Sequence, residues 1–378
     1  MKYHSTKKSM PDDDHVYAHA FLHLRHIGSE TLKACITHFG DLKTAWLASA
    51  TAIQAVTKIP QSKKDEIIAH RDNIDPEAAW QKLVAADIRL LTLHDETFPA
   101  LLREIPDAPY TLYTKGNFDW GKAPAMVAVV GSRKFTAYGE QVATRLSTDL
   151  TQAGFLVVSG LAFGIDSIAH EAVLAAGGET IAVLGSGLHH ISPSSHAPLA
   201  KKIMGQGAVI SEYPPFMAGN SWTFPLRNRI IAGMTLGTIV IEAAERSGSL
   251  ITASCALDYN REVFAVPGSI LSPYSVGTNQ LIKRGAKLVT GVQDILEEFS
   301  EHRLLQTPGK EAANQHIPGL SPEEQTLLSL LSHEPLHIDS IITRAKLSSA
   351  TTGSLLTLLE IKGLAKNVGG MHYVRMQG

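Results

Sequence analysis

The chain has 378 residues, 44% of them hydrophobic, with 34 Lys+Arg against 36 Asp+Glu. That is room for two or three cores, and so even a charge balance excludes polybasic attraction to nucleic acid, leaving only an organised local patch. Cys35 and Cys255 are far apart without clustered ligand partners, which argues against a disulfide scaffold or a Cys-based zinc site and fits a reducing cytoplasm.

Residues 1–14 are polar and mixed in charge, without an apolar signal core, and read as a flexible N-terminus. Over 15–85 apolar positions such as Leu22, Leu32, Ile36, Trp46, Ile53 and Ile67 recur at helical spacing, broken at Gly28, Gly40 and Pro60. This predicts a small helical domain of the SAM or helix-hairpin-helix kind. Residues 90–120, with Pro99, Pro106, Pro109 and Gly116, read as irregular. The period then changes. Short β-branched runs at 127–130, 156–158, 181–184, 208–210, 238–241 and 263–266 alternate with helical patterns. They predict an α/β domain over 86–300, extended Rossmann-like and doubly wound, with a mostly parallel sheet. Residues 301–317 read as a linker, and 318–378 as a winged helix: capping-box residues Ser321 and Glu324 around Pro322, two further helices, and a hairpin carrying Gly369-Gly370. No run reaches the roughly 18 apolar residues that span a bilayer.

Small residues follow almost every predicted strand, where an open parallel sheet binds its ligands. They include Gly131-Ser132-Arg133, Ser159-Gly160, Gly185-Ser186-Gly187, and Glu242 with Ser247-Gly248-Ser249. Glycine admits close backbone approach, and amides or hydroxyls at helix starts hold phosphate oxygens. Arg227, Asn228 and Arg229 follow Trp222 and Phe224 at a helix start beside that edge. Guanidinium forks suit phosphates and an aromatic face stacks on any base. The alternative is structural: an arginine paired with Glu212 or Glu242, and Trp222 in the core. Lys201, Lys202, Lys283, Arg284 and Lys287 are cations that extend such a patch or simply cover the surface.

Other chemistries find little support. Gly185-Ser186-Gly187 lacks the third glycine of a dinucleotide fingerprint, and 116–123 lacks the final Ser/Thr of a P-loop. His15, His19 and His23 at helical spacing, and His189, His190 and His196, read as surface or loop histidines rather than metal ligands. The expectation is no cofactor, no metal and no catalysis. The helix predicted over 348–361 has no Lys or Arg, so the winged helix is expected to contact protein rather than read a groove.

Taken in order, Gly131-Ser132-Arg133, the 159–166 loop, Ser211-Glu212-Tyr213-Pro214-Pro215, Phe224 to Gly233 and Glu242 through Thr252 resemble the DprA/Smf DNA-processing family. The resemblance implies a cytoplasmic protein that binds single-stranded DNA, dimerises through its Rossmann domain, and helps load RecA recombinase in natural transformation. It implies a DNA site of Gly131, Ser132, Arg133, Gly160, Ser186, Trp222, Phe224, Arg227, Asn228, Arg229, Ser247, Gly248, Ser249 and Lys283. After Leu188 the family pattern of Asp, Tyr-Pro and Asn is replaced by His189, Ser192-Pro193 and His196. The competing expectation is a nucleotide phosphoribohydrolase, similar to the lysine-decarboxylase-like group, in which Glu242 assists cleavage of a glycosidic bond.

Overall fold

The computed structural model describes residues 13–299, 321–331, 336–362 and 364–375. They fall into two compact units, one within Met1–Leu305 and one within Gln306–Gly378. The expected linker at 301–317 lies outside the described residues, as do residues 1–12. Asp13 and Asp14, expected in the flexible N-terminus, instead open the helix Asp13–Phe21, where carboxylates suit the positive end of the helix dipole.

Five more helices follow, Ser29–Phe39, Leu42–Leu47, Ala50–Gln54, Gln61–His70 and Pro76–Ala85. Three begin on side-chain caps. Asp41 accepts from the Thr44 amide, Ser49 from Ala52, and Asp75 from Glu77 and Ala78, each satisfying donors a helix start leaves open. Gly40 closes the second helix at φ +91°. Phe21, Leu32, Leu42, Ile53 and Ile67 are buried in a core continuous with Tyr110, Tyr113, Leu184 and Leu199 of the α/β region.

The large sheet has nine strands: β1 Arg89–Thr92, β2 Thr111–Gly116, β3 Met126–Val130, β4 Leu156–Ser159, β5 Thr180–Val183, β6 Ala208–Ser211, β7 Gly237–Val240, β8 Glu262–Ala265 and β9 Lys287–Leu288. Their spatial order is β1-β2-β6-β5-β4-β3-β7-β8-β9. β3 to β9 pair in parallel, whereas β2 runs antiparallel to both β6 and β1. The stretch read as irregular thus supplies two strands; prolines break it into pieces too short to show a period, and β2 gains its place by burying Leu112 and Tyr113. Two apolar layers cover the sheet, one around Val130, Val158, Val183 and Val240, the other around Val127, Val157, Ile239 and Phe264.

From β3 the chain builds outward through β4, β5 and β6, then returns to add β7, β8 and β9 on the opposite side. Val130 pairs with Val240 across this reversal. The loops leaving β3 and β7 therefore diverge, and a crevice opens between them.

In the C-terminal unit the helix Pro322–Leu330 opens with the expected capping box between Ser321 and Glu324. β10 Leu336–His337, helices Ile338–Ala345 and Ser349–Ile361, and the hairpin of β11 Ala365–Gly369 with β12 His372–Arg375 complete a winged helix in strand order β10-β12-β11. Leu327, Leu331, Ile341, Leu356, Leu359 and Tyr373 form its core. Gly363, the expected helix end, lies outside the described residues. No described helix is long and apolar enough to cross a membrane.

Candidate functional site

The crevice at the switch point is a cavity of about 570 Å³, lined by the turn after β3, the start of the helix Thr223–Gly233 and the turn before the helix Ser249–Asp258. At the first turn Gly131 lies against Ile165; a Cβ there would stand 2.6 Å from its Cγ1. The Ser132 amide donates to the Glu242 carbonyl at 2.7 Å, and the Ser132 hydroxyl accepts from the Lys134 amide at 3.1 Å. With its backbone so held, the turn sends Arg133 and Lys134 outward, both exposed.

Glu242, only 2% exposed, braces the same turn. Its carboxylate accepts from the Thr136 amide at 2.9 Å and the Thr136 hydroxyl at 2.6 Å, and that hydroxyl caps the helix Ala137–Gln152. Gly139 is required there, since a Cβ would sit 2.3 Å from the Glu242 Oε2.

Arg227 forms the floor, with 5% of its surface exposed. Its Nη1 donates to the Gly160 and Val183 carbonyls at the ends of β4 and β5. Gly160 leaves room for this: a Cβ would meet Nη1 at 2.4 Å. Burial brings the guanidinium down to about 10, opposed by Asp166 and reinforced by Arg133. Burial likewise raises the Asp166 carboxyl, against the pull of Arg227 and the Ala162 and Gly160 amides it accepts from. On the far wall the Ser247 and Ser249 hydroxyls pair at 2.8 Å, and Asn228 donates to the Gly248 carbonyl at 3.2 Å.

Nine of the expected residues thus line one cavity: Gly131, Ser132, Arg133, Phe224, Arg227, Asn228, Ser247, Gly248 and Ser249. Gly160 lies beneath Arg227. Four lie elsewhere. Arg229 bonds the Glu212 carboxylate at 2.5 Å and lies 3.5 Å from Asp107, because two positions along a helix are about 200° apart and Arg227 already faces the sheet. Trp222 is 56% exposed, neither core nor cavity wall, and lines a separate groove with Phe216 and Leu226. Ser186 is buried and donates to the His190 carbonyl. Lys283 ends the helix Val276–Lys283 outside the cavity.

Sequence reasoning missed Lys134 and Arg246, which line the cavity and are exposed. Each adjoins a motif already noticed, Lys134 after Gly-Ser-Arg and Arg246 before Ser-Gly-Ser, and that adjacency was the available signal. Among the described residues no carboxylate pairs with Arg133, Lys134 or Arg246. Four cations therefore face a cavity whose lining holds a single carboxylate, Asp166. Of the histidine stripe read as surface, His15 contacts Asp95 at 2.9 Å, and His19, only 3% exposed, contacts Tyr113 at 2.8 Å and His23 at 3.3 Å.

A doubly wound α/β protein with a winged helix, carrying an open cationic cleft where the winding reverses, is the class that fold and site define. The chain belongs to the DprA/Smf family of DNA-processing proteins: the family model described as DNA recombination-mediator protein A matches residues 89–300, and the DprA winged helix domain matches residues 311–371. Protein Smf of Synechocystis is 33% identical, with 97% of this chain and 100% of that relative covered. DNA processing protein DprA of Streptococcus pneumoniae is 48% identical over 54% of this chain and 72% of that protein. The X-ray structure of DNA processing protein A from the same organism matches with TM-score 0.66 at 37% identity, covering 75% of this chain and 97% of that one. A Helicobacter pylori DNA processing protein A, whose structure describes its single-stranded DNA binding mode, matches with TM-score 0.51 at 28% identity, covering 57% and 96%.

Proposed function

We propose that this chain binds single-stranded DNA in the cleft between β3 and β7 and performs no chemistry on it. The observation that carries this reading is the trio of exposed cations, Arg133, Lys134 and Arg246, unpaired among the described residues, around a wall of hydroxyls with the Phe224 ring beside it. Phosphates take the cations and a base takes the ring, a combination that tolerates sequence and favours flexible single strands. The single-stranded DNA binding mode described for the Helicobacter pylori relative supports it. In this reading the protein acts in the cytoplasm as a homodimer through its α/β domain, protects incoming DNA during natural transformation and helps load RecA recombinase. The family description as a recombination mediator is what supports the last step.

Glu242 speaks against the phosphoribohydrolase reading. Both its carboxylate oxygens already accept bonds from Thr136, so the group is engaged in holding the Arg133 turn. A salt titration with oligo-dT and duplex DNA tests the proposal. Each lost phosphate contact is expected to flatten the log K against log salt slope by about 0.7 for the single strand, in Arg133→Ala and in Arg246→Ala. Unchanged affinity and slope in both variants would overturn the reading, and release of free base from a nucleoside monophosphate would establish the hydrolase instead. Recovery of RecA filaments on a strand coated by single-strand-binding protein tests the loading step.

A further inference from the structure

The loop after β4 leaves an aromatic ring in the open. Phe163 is 51% exposed, while the residues on either side of it are held in place. Behind it, Asp166 ties down the Gly160 and Ala162 amides, and Leu161 is fully buried at φ 57°, in the left-handed region. Ahead of it, Gly164 has φ +85° and presses on the Arg133 turn: a Cβ there would lie 2.3 Å from the Ser132 carbonyl oxygen and 2.9 Å from the Arg133 Cα. Phe163 therefore stands between Ala162, which lines the cleft, and a residue in contact with its principal cation turn.

The ring is also oriented. His196 packs edge-on to it, with centroids 4.9 Å apart and planes at 73°. His196 is itself fixed, its Nδ1 donating to the Leu161 carbonyl at 2.9 Å. This contact leaves the Phe163 ring half-exposed. A hydrophobic ring held by one aromatic neighbour and still half-exposed beside a cationic cleft has room for a second flat partner, and a heterocycle supplies one.

We infer that the DNA track continues out of the cleft over Phe163, which stacks a second nucleobase, with His196 as the residue that positions the ring. This inference rests on the reading of the cleft as a single-strand site. Continuity with the cleft selects the occupant: a base one or more nucleotides along from the phosphate held at Arg133.

The test uses the full chain and an oligo-dT series of increasing length. In the wild type, affinity is expected to rise with length as the strand reaches Phe163. Phe163→Ala is expected to lose about tenfold on the longer oligonucleotides and nothing on the shortest, in keeping with the cost of removing one stacking ring. Phe163→Leu keeps apolar bulk in case the alanine variant folds poorly and is expected to behave like it, whereas Phe163→Trp retains binding and gains a fluorescence signal quenched by the stacked base. Arg133→Ala weakens every length. If Arg133→Ala weakens binding while Phe163→Ala and Phe163→Leu both follow the wild-type length dependence, the second stacking position is refuted and the ring meets something other than DNA. Equal loss at every length, including the shortest, refutes it as well, since that marks a distorted loop. If Arg133→Ala and Arg246→Ala change nothing at any length, the cleft reading fails and takes this inference with it.

Discussion

Two arginines separated by a single residue ended up in unrelated settings, Arg227 under the cavity floor and Arg229 in an ion pair with Glu212. Their chemistry was legible in the sequence, and the pairing of one of them with a carboxylate was legible as an alternative that left Glu212 and Glu242 both open. Which arginine went where was not, because it depends on the phase of the helix against the sheet. The buried site also makes definite demands on its neighbours. Gly160→Ala sets a methyl against the Arg227 fork and is expected to destabilise by about 1–3 kcal/mol, measurable as a lower urea midpoint; an unshifted midpoint would show that the floor yields. Burial also governs two histidines. His170 and His19 are each pushed down to about 3 by desolvation, helped by Arg227 for the first and by His23 for the second. From the ordinary value of 6.5 down to about 3 the unfolded chain binds protons that the folded one refuses. Stability is therefore complete above that window and falls through it as acid is added, by up to about 1.4 kcal/mol per pH unit for each group. Equilibrium unfolding across this range should give a shallower dependence in His170→Gln than in the wild type, and identical slopes would rule out His170 as a contributor.

At the level of elements, the parallel strands β3 to β8 were readable because each is a short apolar, largely β-branched run with a small-residue turn behind it, whereas the two-residue β9, Lys287–Leu288, was not. β1 and β2 were not, since antiparallel strands of four and six residues between prolines carry too little period to register. The role of Glu242 was equally hidden: a carboxylate at a strand end reads as acid, base or ion-pair partner, and only the fold brings Thr136 to it. This gives a prediction whose sign separates two mechanisms. Simple Coulomb reasoning says that removing a carboxylate next to a cationic cleft strengthens anion binding. Bracing says the reverse, so Glu242→Ala is expected to weaken oligo-dT binding severalfold by loosening the Arg133 turn. Tighter binding in that variant would refute the brace. In the same way Gly164→Ala, which forces a side chain toward the Ser132 carbonyl, is expected to lower affinity more than stability. The reverse ranking, from paired binding and urea measurements, would mean that the turn tolerates displacement.

On the scale of the whole molecule, the helical segment and the sheet share one core, while the winged helix has its own. Its third helix, Ser349–Ile361, carries no Lys or Arg. Ending the chain at Leu305 is therefore expected to leave oligo-dT affinity and its salt slope unchanged; a drop in either would give the winged helix a direct part in holding the strand. The three-part order could be read from the texture of the sequence. What could not be read was that helices on the N-terminal side close over Tyr110 and Tyr113, because a core shared across the sheet edge leaves no trace in local spacing. The setting of Arg227 has one more consequence. Mobile counterions gather around exposed charge far more readily than around charge sealed behind carbonyls. Concentrated electrolyte would silence the outer cations first and leave Arg227's field nearly intact, so the curve of attraction against ionic strength should bend toward a plateau above zero.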